Sequence, residues 1–433
     1  MIRNTKIFFQ YVIPSILAFA LSGIYSIVDG FFVGNQVGDA GLSAINVAYP
    51  IVALIQAAGT GIGMGGAVCY SIHKAENREK RAREYTAGAI WMLFLFSILL
   101  TILTYLFSNP LLRFLGADGQ LLSLGGQYIK IIAIGASLQI IGTGLVPFIR
   151  NNEGAFFAMT AMAAGFVSNI ILDYLFVWVK DGGIRGAAWA TIISQGITML
   201  LALVYLTVKR QIFFRIPVSR AVHTAGAILK IGIAPFGLAM TPNLSLMIIN
   251  RFSAGYGGEE AIATYACIAY IICIIYLILQ GVGDGSQPLM SLYYGQGNLK
   301  KLKDTRALAY EFALFLSVCG VAVLFLLRWK IGILFGASLE VNYEIGRIMP
   351  VFLLSVPFVA VSRITTSGFY ATEKSLFSYF LTFMEPVLMF VLMLILPPLL
   401  GGQQMIWWST TAARILSALA ALIMKREIEK RES

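Results

Sequence analysis

Long, continuous apolar runs separated by short charged or glycine-rich connections make up most of the chain. They fall near residues 8–31, 43–70, 87–108, 122–149, 155–179, 186–208, 225–250, 261–292, 308–328, 346–370, 375–398 and 404–424. About 20 apolar residues in helical form cross a hydrocarbon core. The runs are unbroken rather than alternating, which excludes the strands of a barrel. The pattern predicts an all-α polytopic membrane protein with twelve transmembrane helices.

The runs repeat. Residues 11–51 return in degenerate form at 232–272: shifted by 221 positions, Pro14, Leu17, Ala18, Ile27, Phe31, Gly34, Ala40, Ala48, Tyr49 and Ile51 meet Pro235, Leu238, Ala239, Ile248, Phe252, Gly255, Ala261, Ala269, Tyr270 and Ile272. In the charged connections Asn77 pairs with Asn298 and Lys80 with Lys301, and Glu153 pairs with Glu373 just after the fourth helix of each half. The chain therefore reads as two pseudo-symmetric six-helix bundles, an N-lobe over 1–208 and a C-lobe over 225–433. A basic linker at 209–224 joins them and is expected to lie on the membrane surface as an amphipathic segment. Six helices per half make the repeat parallel, the plan of transporters that rock one half against the other. Pro14, Pro50, Pro235, Pro242, Pro350 and Pro357 lie inside the predicted spans, where proline permits bending.

Composition strengthens this reading. The chain is 58% hydrophobic and 12% charged with mean hydropathy +0.80, too little polar surface for a soluble globule of this size. The net charge of +11 could indicate nucleic acid, but its distribution argues for a bilayer instead. With the N-terminus inside, twenty-one Lys and Arg fall on the cytoplasmic side and eight on the other. That bias places both termini in the cytoplasm. The first span is expected to insert uncleaved, since no small-residue cleavage site follows it.

The chemistry-bearing residues exclude several classes. Gly59, Gly61, Gly63, Gly65 and Gly66 form a glycine string, but no Gly-Lys-Ser/Thr follows, so close helix packing is expected and no ATP site. Cys69, Cys267, Cys273 and Cys319 have no metal or disulfide spacing. The only histidines, His73 and His223, lie in connections, and no hydrolase motif occurs. The chain is expected not to be an enzyme and to need no cofactor. Charges inside the apolar runs stand out instead, because each is costly unless used. Asp29 lies near the far end of the first run and has Asn250 as its counterpart in the repeat. Asp284, Glu311 and Arg363 lie in the eighth, ninth and tenth runs, where a structural ion network and a coupling role both remain open. Glu385 and Arg414 reach the midplane of the last two helices from opposite directions, which predicts a structural ion pair.

Pro14 through Asp29-Gly-Phe-Phe-Val-Gly34, the following Ala-Gly-Leu-Ser-Ala-Ile-Asn-Val-Ala-Tyr-Pro50, the Gly283/Gly285-Ser-Gln287-Pro288 run and the six-plus-six repeat resemble the multidrug and toxic compound extrusion family. The likeness covers essentially the whole chain and lies nearest the branch named after the DNA-damage-inducible protein F. It implies a monomeric cell-membrane exporter, bacterial or archaeal, that moves small amphipathic or cationic compounds outward against inward H⁺ or Na⁺. It also implies a cation-coupling site at Asp29, Asn169 and Asp173, with Thr191 as a fourth member. At 1.5 Å per residue, Asp29, Asp173 and Thr191 lie about 8 to 10 Å below the outer surface, at one level. Two carboxylates with amide and hydroxyl oxygens can hold Na⁺ or share a proton. Members of the family often carry a base in the eleventh helix and an acid in the twelfth, the reverse of Glu385 and Arg414. Phe19, Tyr25, Tyr49, Met64, Phe236, Met240, Met247 and Tyr270 are expected to line an adaptable substrate cavity. A flippase for lipid-linked precursors, from the same superfamily, is the alternative.

Overall fold

The computed structural model describes residues 2–335 and 338–432, without the side chains of Ile2–Asn4, Ser26, Asp39, Leu42, Arg431 and Glu432. Arg3 and Arg431, two of the twenty-one Lys and Arg assigned to the cytoplasmic side, are therefore described by backbone alone. Backbone polar groups in hydrocarbon must be paired within their own segment, and the described residues are almost entirely helical. The long helices are α1 (Ile2–Val37), α2 (Asp39–Ala75), α3 (Glu79–Leu106), α4 (Gly119–Asn151), α5 (Ala155–Asp173), α6 (Gly183–Val208), α7 (Val218–Tyr256), α8 (Gly258–Gly295), α9 (Leu299–Leu327), α10 (Leu339–Ala371), α11 (Ser375–Leu396) and α12 (Gly402–Glu432). Among the described residues, eleven stretches are long and apolar enough to cross a membrane, the last of which, Ser375–Lys430, takes in α11 and most of α12. The helices overrun the apolar runs at most ends, because polar residues continue a helix once it has left the hydrocarbon.

The repeat is also written in the backbone. Gly38, Asn77, Glu153 and Asp181 take left-handed conformations, with φ of 77°, 61°, 62° and 52°; Gly258, Gly297, Glu373 and Gly401 do the same, with φ of 64°, 65°, 58° and 111°. Each pair is separated by 220 residues. Asn77 is thus matched by Gly297, not by Asn298 as identity alone predicts. Asn and Gly are the residues that best tolerate this helix-ending position. Both halves also relax into π-helix at equivalent places: Tyr174–Val179 prolongs α5 and Pro397–Gly401 prolongs α11.

By packing, the chain forms two units. The first comprises 9–240 and 291–299, the second 1–8, 241–290 and 300–433. Their boundaries fall inside α1, α7 and α8 and at the first residue of α9. Glycines hold the first unit together. A Cβ on Gly59 would meet the Ile140 carbonyl of α4 at 2.6 Å, and one on Gly61 the Gly232 carbonyl of α7 at 2.8 Å. Gly63 and Gly65 continue the alternation against Gly144 and Ile228. The string is a two-sided packing seam on α2, with backbone against backbone.

The linker is shorter than expected. Only residues 209–217 lie outside helix, and α7 has begun by Val218. This strap runs along α3: the Trp91 indole donates to the Phe214 carbonyl (3.1 Å), the Arg83 guanidinium lies over the Phe213 ring, and Arg220 binds the buried Glu84 carboxylate at 3.0 Å. All four cysteines are free thiols.

Candidate functional site

The N-half acids meet where α1 packs on α5. Tyr25 stacks on Phe166 (4.8 Å between ring centres), and seven residues on Phe32 leans on Tyr174 and Trp178, each at 6.3 Å. Between these aromatic layers the Asp29 and Asp173 carboxylates approach closely enough to interact. Asp173 is completely buried and is the last α-helical residue before the π turn. A π turn spends an extra residue, which re-aims the side chains on either side of it. Asn169, one turn earlier on the same face, is 1% exposed. Thr191 on α6 is buried, and its hydroxyl donates to the Ala187 carbonyl at 3.0 Å.

This cluster holds an unusual set of unsatisfied atoms. Oδ1 of Asp29, both carboxylate oxygens of Asp173 and both amide atoms of Asn169 are buried without a hydrogen-bond partner. Buried polar atoms are ordinarily paired, and each unpaired one costs about 1–3 kcal/mol. Two facing carboxylates also repel unless a proton or a cation lies between them. The donor set is carboxylate, amide and hydroxyl oxygen, the hard ligands that suit Na⁺, and it equally suits a shared proton. No cluster of three His, Cys, Asp or Glu residues that could hold a metal occurs among the described residues.

A fifth member escapes the sequence. Tyr128 on α4 is buried, with its hydroxyl in reach of Thr191 and both acids close by. A tyrosine in an apolar run is unremarkable there; only its position one helix away from Thr191 reveals it.

Of the C-half charges, Asp284 and Arg363 are brought together through an intermediary. The Gln280 amide donates to Asp284 Oδ1 (2.7 Å) and accepts from Arg363 (3.1 Å), and the Tyr370 hydroxyl donates to Asp284 at 2.9 Å. Glu311 stands exposed, on a face of α9 shared with Phe315 and Val318, outside this chain of bonds. Glu385 and Arg414 form an ion pair at 3.1 Å. Arg414 also donates to the Ser355 hydroxyl (3.4 Å) and lies over the Tyr276 ring.

The eight cavity candidates scatter. Met64 is 1% exposed, because its neighbours Gly63 and Gly65 bring α4 and α7 hard against α2; it is a core residue, a correction to the cavity expectation. Phe19 is half-buried beneath the Arg150 guanidinium, and Phe236 and Met240 are half-buried. Tyr49, Met247 and Tyr270 are exposed, Tyr270 stacking on Phe335.

Known proteins share this architecture. A family model described as MatE matches residues 14–175 and 235–395. The multidrug export protein MepA of Staphylococcus haemolyticus is 26% identical over 322 residues, covering 74% of this chain and 71% of its own, and MepA of Staphylococcus aureus is 26% identical over a similar span. Among solved structures, a MOP superfamily transporter from Pyrococcus furiosus superposes with a TM-score of 0.92 at 20% identity, covering 99% of this chain and 96% of its own. A multidrug resistance MATE transporter in an outward-facing conformation superposes with a TM-score of 0.91, also at 20% identity, over 99% and 96% of the two chains.

Proposed function

The chain belongs to the MatE family of membrane transporters, and from that premise we propose that it exports small amphipathic or cationic compounds by antiport against inward H⁺ or Na⁺. The observation that carries the proposal is the Asp29–Asp173 pair with its unsatisfied oxygens. Multidrug export by the MepA relatives supports the substrate class.

In the proposed cycle, the site takes up H⁺ or Na⁺ when open to the outside. Charge between the carboxylates relieves their repulsion and draws α1 and α5 together, and the loaded state favours substrate release. The cation drives transport only because it binds the two conformations unequally. Asp173 and Asn169 are buried, so the electrostatic difference between loaded and empty states is large. Both termini lie in the cytoplasm in this scheme, and the lobes are the two repeats, 1–208 and 225–433, joined by 209–224.

The test is transport of a fluorescent organic cation in proteoliposomes, with pH and Na⁺ gradients imposed separately. Accumulation driven by one gradient, and abolished by dissipating it, is expected. Movement of a lipid-linked saccharide with no gradient-driven drug transport would replace the exporter with the flippase.

A further inference from the structure

A groove of about 630 Å³ opens where α4 and α6 begin, beside the two-turn helix Ser108–Phe114. Its walls carry Lys130, Arg185, Trp189, Gln127, Ser123 and Asn109. Arg185 Nε donates to Gln127 Oε1 at 2.9 Å, which fixes the guanidinium. Of the nearby acids, Asp181 accepts from the Gln36 amide (2.7 Å), and Asp118 caps α4, accepting from the backbone amide of Gly119 in the groove wall (2.7 Å). The first turns of both α4 and α6 reach the groove; α4 is capped by Asp118, whereas the N-terminus of α6 has no side-chain cap and adds partial positive charge to the two cations. Such a volume suits a small ligand, and such a lining suits an anion.

The surface beneath the groove identifies what kind. One turn deeper on α4, Ile134 is 56% exposed, and one turn deeper on α6, Ile193 is exposed, followed by Leu200 and Val204. A basic, hydrogen-bonding recess thus sits directly above an apolar strip, with Trp189 between them, where an indole marks the boundary of hydrocarbon and headgroup. A free phosphate has no use for the strip; an acyl chain does. We propose that this groove is a binding site for an anionic phospholipid, its phosphate held by Lys130 and Arg185 and its chains lying along Ile134 and Ile193. In the orientation proposed above the lipid comes from the external leaflet.

Native mass spectrometry of the detergent-purified chain with phosphatidylglycerol or phosphatidylcholine tests this. Phosphatidylglycerol adducts are expected, and Lys130→Ala/Arg185→Ala should weaken them about tenfold or more, from the loss of two cation contacts at an anionic headgroup. Arg328→Ala/Lys330→Ala, which removes the same charge elsewhere, should retain them. Thermal melting of each variant checks that it is folded. Equal adducts with phosphatidylcholine, equal loss in the two double variants, no loss in the first, or full displacement by free glycerol phosphate would each overturn the proposal.

Discussion

At the scale of single residues, visibility in the sequence followed cost. Asp29 is conspicuous because a carboxylate among apolar residues demands an explanation, and the family resemblance added Asn169, Asp173 and Thr191. Tyr128 costs nothing in an apolar run and stayed hidden until α4 and α6 could be seen side by side. Met64 erred the other way: a methionine between glycines looks adaptable, yet those glycines seal it into the core. A graded response to substitution is expected. Tyr128→Phe removes one hydroxyl near Thr191, worth about 1 kcal/mol, and should raise the half-saturating concentration of the coupling cation about fivefold with expression unchanged. Asn250→Ala, at the matching place in the other repeat, should shift it less than about twofold. Transport rates measured against cation concentration decide both; equal effects would remove the special status of the N-half cluster.

At the scale of helices, the twelve runs and the glycine seam were legible because apolar length and small-residue spacing are local signals. The helix overruns, the π turns and the start of α7 at Val218 were not, since each depends on what lies beyond the hydrocarbon or on a neighbouring helix. Gly63→Leu would push a side chain into the Gly144 backbone. It should destabilise the detergent-solubilised protein by about 1–3 kcal/mol, the ordinary cost of overpacking. Gly226→Ala, on an exposed face of α7 with open space around it, should instead be neutral or gain up to about 1 kcal/mol. Thermal melts of the two compare them directly. The Glu385–Arg414 pair makes a second claim. Neutralising either partner alone should cost about 3–5 kcal/mol by stranding the other. Exchanging them should restore only part of that, because the contacts of Arg414 with Ser355 and Tyr276 do not move with it. An exchanged protein no more stable than the single variants would show that these contacts, not the pair, carry the stability.

At the scale of the whole molecule, the repeat was readable from ten identities, but its register was not. Identical residues align the first helices at one offset, while the left-handed backbone positions align the helix ends one residue differently. Orientation rests on the asymmetry of Lys and Arg. In a cysteine-free background, cysteine at Gln120, exposed at the start of α4, should react with an impermeant thiol reagent added to intact cells, whereas cysteine at Lys80, exposed at the start of α3, should not. The reverse pattern would invert the molecule in the membrane. The measurement closest to the central claim is gradient-driven transport of a fluorescent cation by proteoliposomes carrying Asp29→Asn protein that is folded, inserted and present at the wild-type amount. A carboxylate pair that couples cation entry to export predicts a loss of at least about tenfold in gradient-driven transport, because the amide abolishes the unequal cation binding of the two conformations. Full coupled transport by that variant would contradict the account and move the coupling site to Asp284 and its partners.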